Sequence, residues 1–383
     1  MRAFADVAFA EIIAEIDRLR AAPDRQDALA AMLAEQSPIY AGRSSNDAER
    51  LRGYLLASFE TTGLPTSALP VVIEELENGF NPYVVAAAAK AIRGARDLPN
   101  AIARLLLAAV DRIRGSDDLV SFDLRAAPAA GAPVTALMEL FRTLAWLGPR
   151  ANGAQAPLGE MLERQPACFS TQVIAEIKIA LAAVSVGDNQ AHCCAAHPTT
   201  VSLAAETPPS SVDIETTELQ DQDGRVFSFG DFFPGRPSVL TFFYSRCMNP
   251  NKCSLTITKL ARLQQRIRCE GLQDRFNIAA VSYDPAFDVP GRLRLYGTDR
   301  GMSFDDRSRL LRTTGPFEPF QRWLDLGVGY GSITVNQHRL DMVILDDSGH
   351  PRASAVRVQW DEADVLTALK ALRSNPVAAA PKR

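Results

Sequence analysis

Apolar residues are spaced in two different ways along this chain. Up to about residue 185 they recur at helical intervals, in Ala- and Leu-rich segments separated by short Pro, Gly and Asp clusters. Strand signals are nearly missing there, so this half reads as all-helical. Three of its segments resemble one another, at 47–59, 81–94 and 132–144. Each is followed by a second apolar helix, at 68–76, 101–113 and 157–162. Helix pairs recurring at a period of about 35 to 50 residues are the mark of an α-solenoid.

The second half changes rhythm. Runs at 226–229, 238–244, 277–283, 341–345 and 355–359 predict strands, and periodic segments at 255–269, 290–297, 317–326 and 362–374 predict helices. The order βαβα, then two strands and a helix, is the plan of an α/β thioredoxin-like domain, with Asp346-Asp347-Ser348-Gly349 as the hairpin turn. The helical half has its own closest likeness. Its second pair resembles a HEAT repeat, with Asn81-Pro82 at the helix start, a small stripe from Ala86 to Ala89, and Gly94 at the end. The competing description is an irregular helical bundle. Stacked helix pairs offer a binding surface, so this half is expected to recognise a protein partner or to pack on the other half.

Expected boundaries are therefore 1–185 for HEAT-like helical repeats, 186–212 for a linker, 213–376 for the thioredoxin-like domain and 377–383 for a disordered tail. The linker is polar and carries Thr, Ser and Pro. Within it His192, Cys193, Cys194 and His197 crowd together. They suggest a mobile thiol or metal relay, although adjacent cysteines cannot easily reach one tetrahedral ion together with two histidines so close by. The competing description is an exposed linker with incidental Cys and His.

Composition narrows the function classes. Of 383 residues, 47% are hydrophobic and 22% charged, and the formal net charge is -4, as for ordinary globular protein. No basic block or interleaved aromatic stripe appears, so nucleic acid is not an expected partner. Asp6, Glu11 and Glu15 interrupt the first helix, which lacks the apolar core of a secretory signal. No run of about 18 uncharged apolar residues occurs, so no membrane span is expected and the chain is expected to be cytoplasmic. Six cysteines are too few for a disulfide scaffold, and in a reducing compartment close pairs suggest metal binding or redox chemistry.

Cys247 and Cys253 form the most informative pair. They lie between the apolar run 238–244 and the helix beginning near residue 255, the strand-to-helix address of thioredoxin-type thiols. In one continuous helix, residues six apart are displaced by about 9 Å and about 240°, whereas a disulfide needs Cα atoms within about 7 Å. Cys247 must then sit in a loop folded back over the helix start, with Asn249-Pro250-Asn251 supplying the turn. Cys253 is expected in or just before the first helical turn, where the helix dipole with Arg246 and Lys252 would favour its thiolate. Such a pair can exchange disulfides or hold a soft ion such as Cu(I); the competing description is two small buried hydrophobes. His338 precedes the strand expected beside the thiol loop and can supply a third ligand or a proton carrier, its alternative being a surface or capping residue. His350 is expected to be exposed, and Cys168 and Cys269 to be packing residues on helices.

From about residue 219 to 372 the chain resembles the Sco/SenC family, thioredoxin-fold proteins associated with copper delivery to cytochrome oxidase and with thiol-disulfide exchange. The likeness is carried by Gln222-Asp-Gly-Arg-Val-Phe-Ser-Phe229, the strand Val239 to Tyr244 leading to the first cysteine, Val281-Ser-Tyr-Asp-Pro285 with Asp288, Pro290, Leu293 and Tyr296, and the stretch from His338 to Asp347 with Gly349. The resemblance implies copper bound by Cys247, Cys253 and His338. This chain departs from the family in placing five residues between the cysteines rather than three and in its helical repeats, and no export signal or anchor is expected from the sequence as written.

Three functions follow. The first is a Sco-like protein that binds Cu(I) or exchanges disulfides with a partner held by the repeats. The second is a metal-free thiol oxidoreductase or peroxide-reactive enzyme in which Cys247 attacks and Cys253 resolves. The third is a non-catalytic adaptor that uses its solenoid alone.

Overall fold

The structure, a computed structural model, describes residues 7–22, 24–124, 133–164, 166–185 and 212–374. Helical spacing in the first half becomes nine α-helices among the described residues: α1 (Phe9–Ala21), α2 (Gln26–Met32), α3 (Ser45–Thr62), α4 (Leu69–Asn78), α5 (Pro82–Ile92), α6 (Ile102–Ile113), α7 (Ala136–Leu147), α8 (Gln155–Arg164) and α9 (Thr171–Val184). The three expected pairs are α3 with α4, α5 with α6, and α7 with α8. Helix α3 packs on α5, α5 on α7 and α7 on α9, while α4 packs on α6, so the paired helices form two rows.

Sequence explains this close stacking. Asn81 caps α5 by accepting from the Tyr83 and Val84 amides at 3.0 and 3.4 Å, and Pro82 fits the first turn. Ala86, Ala87, Ala88 and Ala89 are fully buried, so α3 and α7 both approach α5 with little side chain in the way. Gly94 follows α5 where a Cβ would fall 1.8 Å from the Phe59 carbonyl oxygen. Arg93 stitches the row, bonding Glu60 of α3 at 2.7 Å and both Glu139 and Thr143 of α7 at 2.7 and 2.9 Å. In the other row, Arg112 of α6 donates to the Leu76 and Gly79 carbonyls at the end of α4.

The described residues sort into two compact units. The first lies within Met1–Ala196 and also takes in Gly329–Gln337; the second lies within His197–Val328 and His338–Arg383. In chain order the carboxyl-terminal elements are β1 (Glu218–Asp221), β2 (Val226–Ser228), α10 (Phe229–Phe232), β3 (Ser238–Phe243), α11 (Leu255–Cys269), β4 (Asn277–Ser282), α12 (Pro290–Thr298), β5 (Ser308–Thr313) and α13 (Glu318–Leu324). They continue with β6 (Val328–Tyr330), β7 (Val335–His338), β8 (Asp341–Leu345), β9 (Pro351–Val356) and α14 (Glu362–Ser374).

Seven strands form one sheet in the order β2-β1-β5-β4-β3-β8-β9. Strands β3, β4 and β5 are parallel, and the remaining pairings are antiparallel. The block β4-β3-β8-β9, with α11 crossing from β3 to β4 and α14 following β9, is the thioredoxin-like arrangement. All six residues of β3 and of β4 are buried, as strands covered on both faces require. One face packs Val239, Phe243 and Ile344 against Ile257, Leu260 and Leu369. Phe242 meets the rings of Tyr283, Phe317 and Phe320.

Several expectations are corrected. The strand expected at 355–359 is β9, ending at Val356, because Arg357 takes a left-handed φ of 64° and its amide donates to Leu340 O at 2.8 Å. The helix expected at 317–326 stops at Leu324, where Asp325 takes a left-handed φ of 47°. Strands β1, β5, β6 and β7 were not expected. Strand β5 contains Arg309 and Arg312, which bond Asp221 and Gln220 of β1 at 3.1 and 2.9 Å and so belong to a sheet despite their charge. Strands β6 and β7 form a separate two-stranded ribbon.

Candidate metal and thiol site

The site is assembled where the chain leaves β3. Ser245 donates from its amide to Asp288 at 3.1 Å, and the Ser245 and Ser282 hydroxyls donate to the same carboxylate. Arg246 bonds Asp284, whose amide donates to Ser282 Oγ at 2.9 Å, and its guanidinium lies 4.2 Å from the Phe287 ring centroid. The loop after β4 thus fixes the start of the thiol loop. Burial pushes the Asp288 carboxyl up, against the lowering effect of its Ser245 and Ser282 donors.

Beyond this anchor Cys247 donates its amide to Tyr244 O at 3.3 Å, and Asn249 Oδ1 accepts from the Asn251 amide at 2.9 Å. A wide turn over Pro250–Ser254 carries Cys253 to the threshold of α11, which begins at Leu255. The five intervening residues therefore form the fold-back loop that spacing required. Lys252 departs from helical geometry at φ -110°, ψ -105°, and its Nζ donates to the His338 carbonyl at 3.1 Å.

His338 closes the site from the end of β7. Its Nε2 lies 3.3 Å from Cys247 Sγ and 3.7 Å from Cys253 Sγ, and all three donor atoms fall within 4.8 Å of one another. Its Nδ1 lies 3.3 Å from Arg339 O, which can only accept, so in the neutral ring the proton belongs on Nδ1 and the Nε2 lone pair faces the sulfurs. Tyr244 meets the imidazole edge-on at 5.3 Å, and Tyr283 flanks it at 5.9 Å. Cys253 is 1% exposed and Cys247 is half-buried; neither is in a disulfide.

The two thiols are electrostatically unequal. A hydrogen bond accepted from the Cys253 thiol, aided by the field of His338 and a hydrogen bond accepted from it, holds Cys247 well below the ordinary thiol range despite its burial. Desolvation pushes Cys253 up, and its bond to Cys247 and the charge there push it further. This reverses the expectation that the helix start would favour the Cys253 thiolate. Lys252 does lower the Cys253 value, but loss of water outweighs it.

Among sequence-expected residues, Cys247, Cys253 and His338 converge. His192, Cys193, Cys194 and His197 lie outside the described residues. His350 is exposed, as expected. Cys168 and Cys269 are exposed rather than packed, since one ends a short 3-10 turn and the other is the last residue of α11 on its solvent side. Sequence reasoning assigned no local role to Ser245, Ser282, Asp288 or Tyr244. Asp288, Ser282 and Tyr244 enter only through the family likeness, and a polar Ser282 closing the apolar run of β4 is the available signal for the partner of Asp288.

The donor set fits a soft ion. Two sulfurs and one imidazole suit Cu(I), whereas a closed tetrahedral zinc site needs a fourth donor that no further His, Cys, Asp or Glu of this described cluster supplies.

A family model described as SCO1/SenC matches residues 209–318, a span that holds both cysteines and ends before His338. A search of curated proteins returned no match. Among solved structures, the chain is similar to a SCO1/SenC family lipoprotein from Bacillus anthracis strain Ames, with 22% identity, 44% of this chain and 99% of that chain covered, and a TM-score of 0.37. It is also similar to copper-bound ScoI of Bradyrhizobium japonicum, at 20% identity, 41% and 96% coverage and a TM-score of 0.32. Copper-bound Sco1 of yeast matches at 21% identity, 44% and 95% coverage and a TM-score of 0.33. Among the described residues, no helix is long and apolar enough to cross a membrane. The match to the SCO1/SenC family model thus lies on part of this thioredoxin-like sheet and on its thiol loop, over residues 209–318.

Proposed function

We propose that this chain holds one Cu(I) on Cys247, Cys253 and His338 as cargo for a protein partner recognised by its helical repeats. The observation that carries the reading is the convergence of two sulfurs and one imidazole nitrogen within 4.8 Å. Cys247 offers a ready thiolate, Cys253 a second sulfur once its proton leaves, and His338 an Nε2 that faces both sulfurs and can bind once it carries no proton. The proposed organisation is HEAT-like repeats over 1–185, a linker over 186–212 and the Sco-like domain over 213–376. A cytoplasmic setting would keep both thiols in the reduced form that takes the ion. Reduced, anaerobically purified chain is expected to take up one Cu(I), and Cys247→Ser is expected to lose it. Unchanged uptake in that variant would defeat the reading.

The inequality of the thiols favours a second reading, disulfide exchange at the same site. Cys247 thiolate would attack one sulfur of a partner disulfide, forming a mixed disulfide and releasing one partner thiolate. Cys253, on giving up its proton, would attack Cys247 Sγ and release the second partner thiolate. The partner gains two electrons and the chain is left with a Cys247–Cys253 disulfide. A reversible midpoint potential for this pair is the expected signature, and two titratable thiols that never pair would contradict it.

A further inference from the structure

We infer that the helical unit positions the third ligand: a clamp on the β6–β7 ribbon sets His338, and Asn336 is its positioning residue. Strands β6 and β7 do not join the seven-stranded sheet, and a lone two-stranded ribbon is marginal in water. Something else must hold it. The residues Gly329–Gln337 belong to the first compact unit, and their partners there lie between Glu35 and Arg43.

Both strands are gripped. On β6, Tyr330 O accepts from the Gly42 amide at 2.9 Å, and Gly42 bridges Gly331. A Cβ at Gly329 would fall 2.2 Å from Glu35 O, and one at Gly331 would fall 2.5 Å from Arg43 O, so this approach admits only glycine. On β7, Asn336 Nδ2 donates to Tyr40 O at 2.7 Å and to Arg43 O at 3.0 Å. Asn336 stands two residues before His338 and shares its strand phase.

The platform is itself fixed from within the helical unit. Arg43 donates from Nε to Ile39 O and from Nη2 to Val7 O, both at 2.6 Å. Buried Arg52 donates to Leu33 O at 2.9 Å and bonds Glu35 at 3.2 Å and Glu75 at 2.8 Å. The ring of Tyr40 is fully buried. A chain of bonds thus runs from α3 through the 35–43 segment to Asn336, and the peptide chain carries it on to His338. Through that chain, the 35–43 segment holds the strand that ends on the imidazole.

Only the copper readout rests on the reading above. Asn336→Asp replaces a donor to two carbonyls with a carboxylate. It is expected to weaken Cu(I) binding at least about tenfold, toward the value of His338→Ala, with the nitrogen scatterer lost from the X-ray absorption spectrum while both sulfurs remain. Arg93→Ala breaks the Glu60 and Glu139 pairs of the same unit away from the ribbon, and is expected to leave affinity and coordination unchanged. A metal-free measurement separates the two ideas. In Asn336→Asp the His338 ring resonances are expected to move toward those of exposed His350. If Asn336→Asp does not fold, Gly329→Ala, which pushes the ribbon away from Glu35, is expected to give the same displacement. Wild-type protein that takes no Cu(I) would defeat the copper reading alone. His338 resonances and nitrogen ligation that stay as in wild type in a folded ribbon variant would overturn the clamp.

Discussion

Cys253 stands at a helix start, beside Lys252, yet it is the thiol that stays protonated. At the residue scale the deciding quantity is access to water: Cys253 is sealed among Val239, Phe243 and Ile257, while half-buried Cys247 receives the Cys253 hydrogen bond and faces His338. In the reduced chain, iodoacetamide is therefore expected to modify Cys247 at a rate that stays high as pH falls from 8 to 5, because its lowered pKa keeps it a thiolate throughout. Cys253 is expected to resist until the pH is well above the ordinary thiol range of about 8.5. Mass-spectrometric mapping of the label against pH checks this; equal labelling of both thiols with one pH profile would contradict it. Replacing Cys253 with Ala removes the donor, and the Cys247 profile is expected to shift upward. That Cys247, Cys253 and His338 converge was legible in the sequence, because two thiols at a strand-to-helix turn and a histidine before a strand are local signals. Their division of charge was not, since it depends on which sulfur the fold buries.

Elements differ in how plainly their sequences announce them. Helix α11 and helix α14 match their periodic segments end to end, and β3, β4 and β8 match their apolar runs within a residue or two. Strands β1, β5 and β7 were missed because their stabilising partners are distant: Arg309 reaches Asp221, Arg312 reaches Gln220, and Asn336 reaches Tyr40 and Arg43. No window of neighbouring residues contains those pairings. Two predictions belong at this scale. Asp288→Ala leaves the Ser245 amide and two hydroxyls without their acceptor, and is expected to cost about 2 to 3 kcal/mol and to loosen the thiol loop. Denaturant unfolding and faster proteolysis near Arg246 would report it, and unchanged values in both would contradict the anchor. Asn81→Ala removes the cap of α5 and its 2.6 Å bond to Glu49, with an expected loss of about 1 kcal/mol or somewhat more. Urea titration of the full chain measures it.

At the scale of the whole molecule, the chain joins stacked helix pairs to a thioredoxin-like domain whose match to the SCO1/SenC family model stops short of His338. The change from helical to alternating rhythm made both halves legible from the sequence. The assignment of Gly329–Gln337 to the helical unit was not legible, because its hydrogen-bond partners Tyr40 and Arg43 are far away in sequence. Close packing of the helix rows is testable through Gly94→Val, whose side chain would run into the Phe59 carbonyl; a loss of about 3 kcal/mol is expected in thermal or denaturant unfolding. The central claim is that two sulfurs and one imidazole make a single soft-metal site. Its most direct test is X-ray absorption with metal analysis on the reduced, full-length chain loaded with Cu(I) under anaerobic conditions, beside the Cys247→Ser/Cys253→Ser double variant. The account predicts one copper per chain, ligated by two sulfurs and one nitrogen, and none in the double variant. A wild-type chain that holds no copper, or a double variant that holds it with the same ligands, would contradict it.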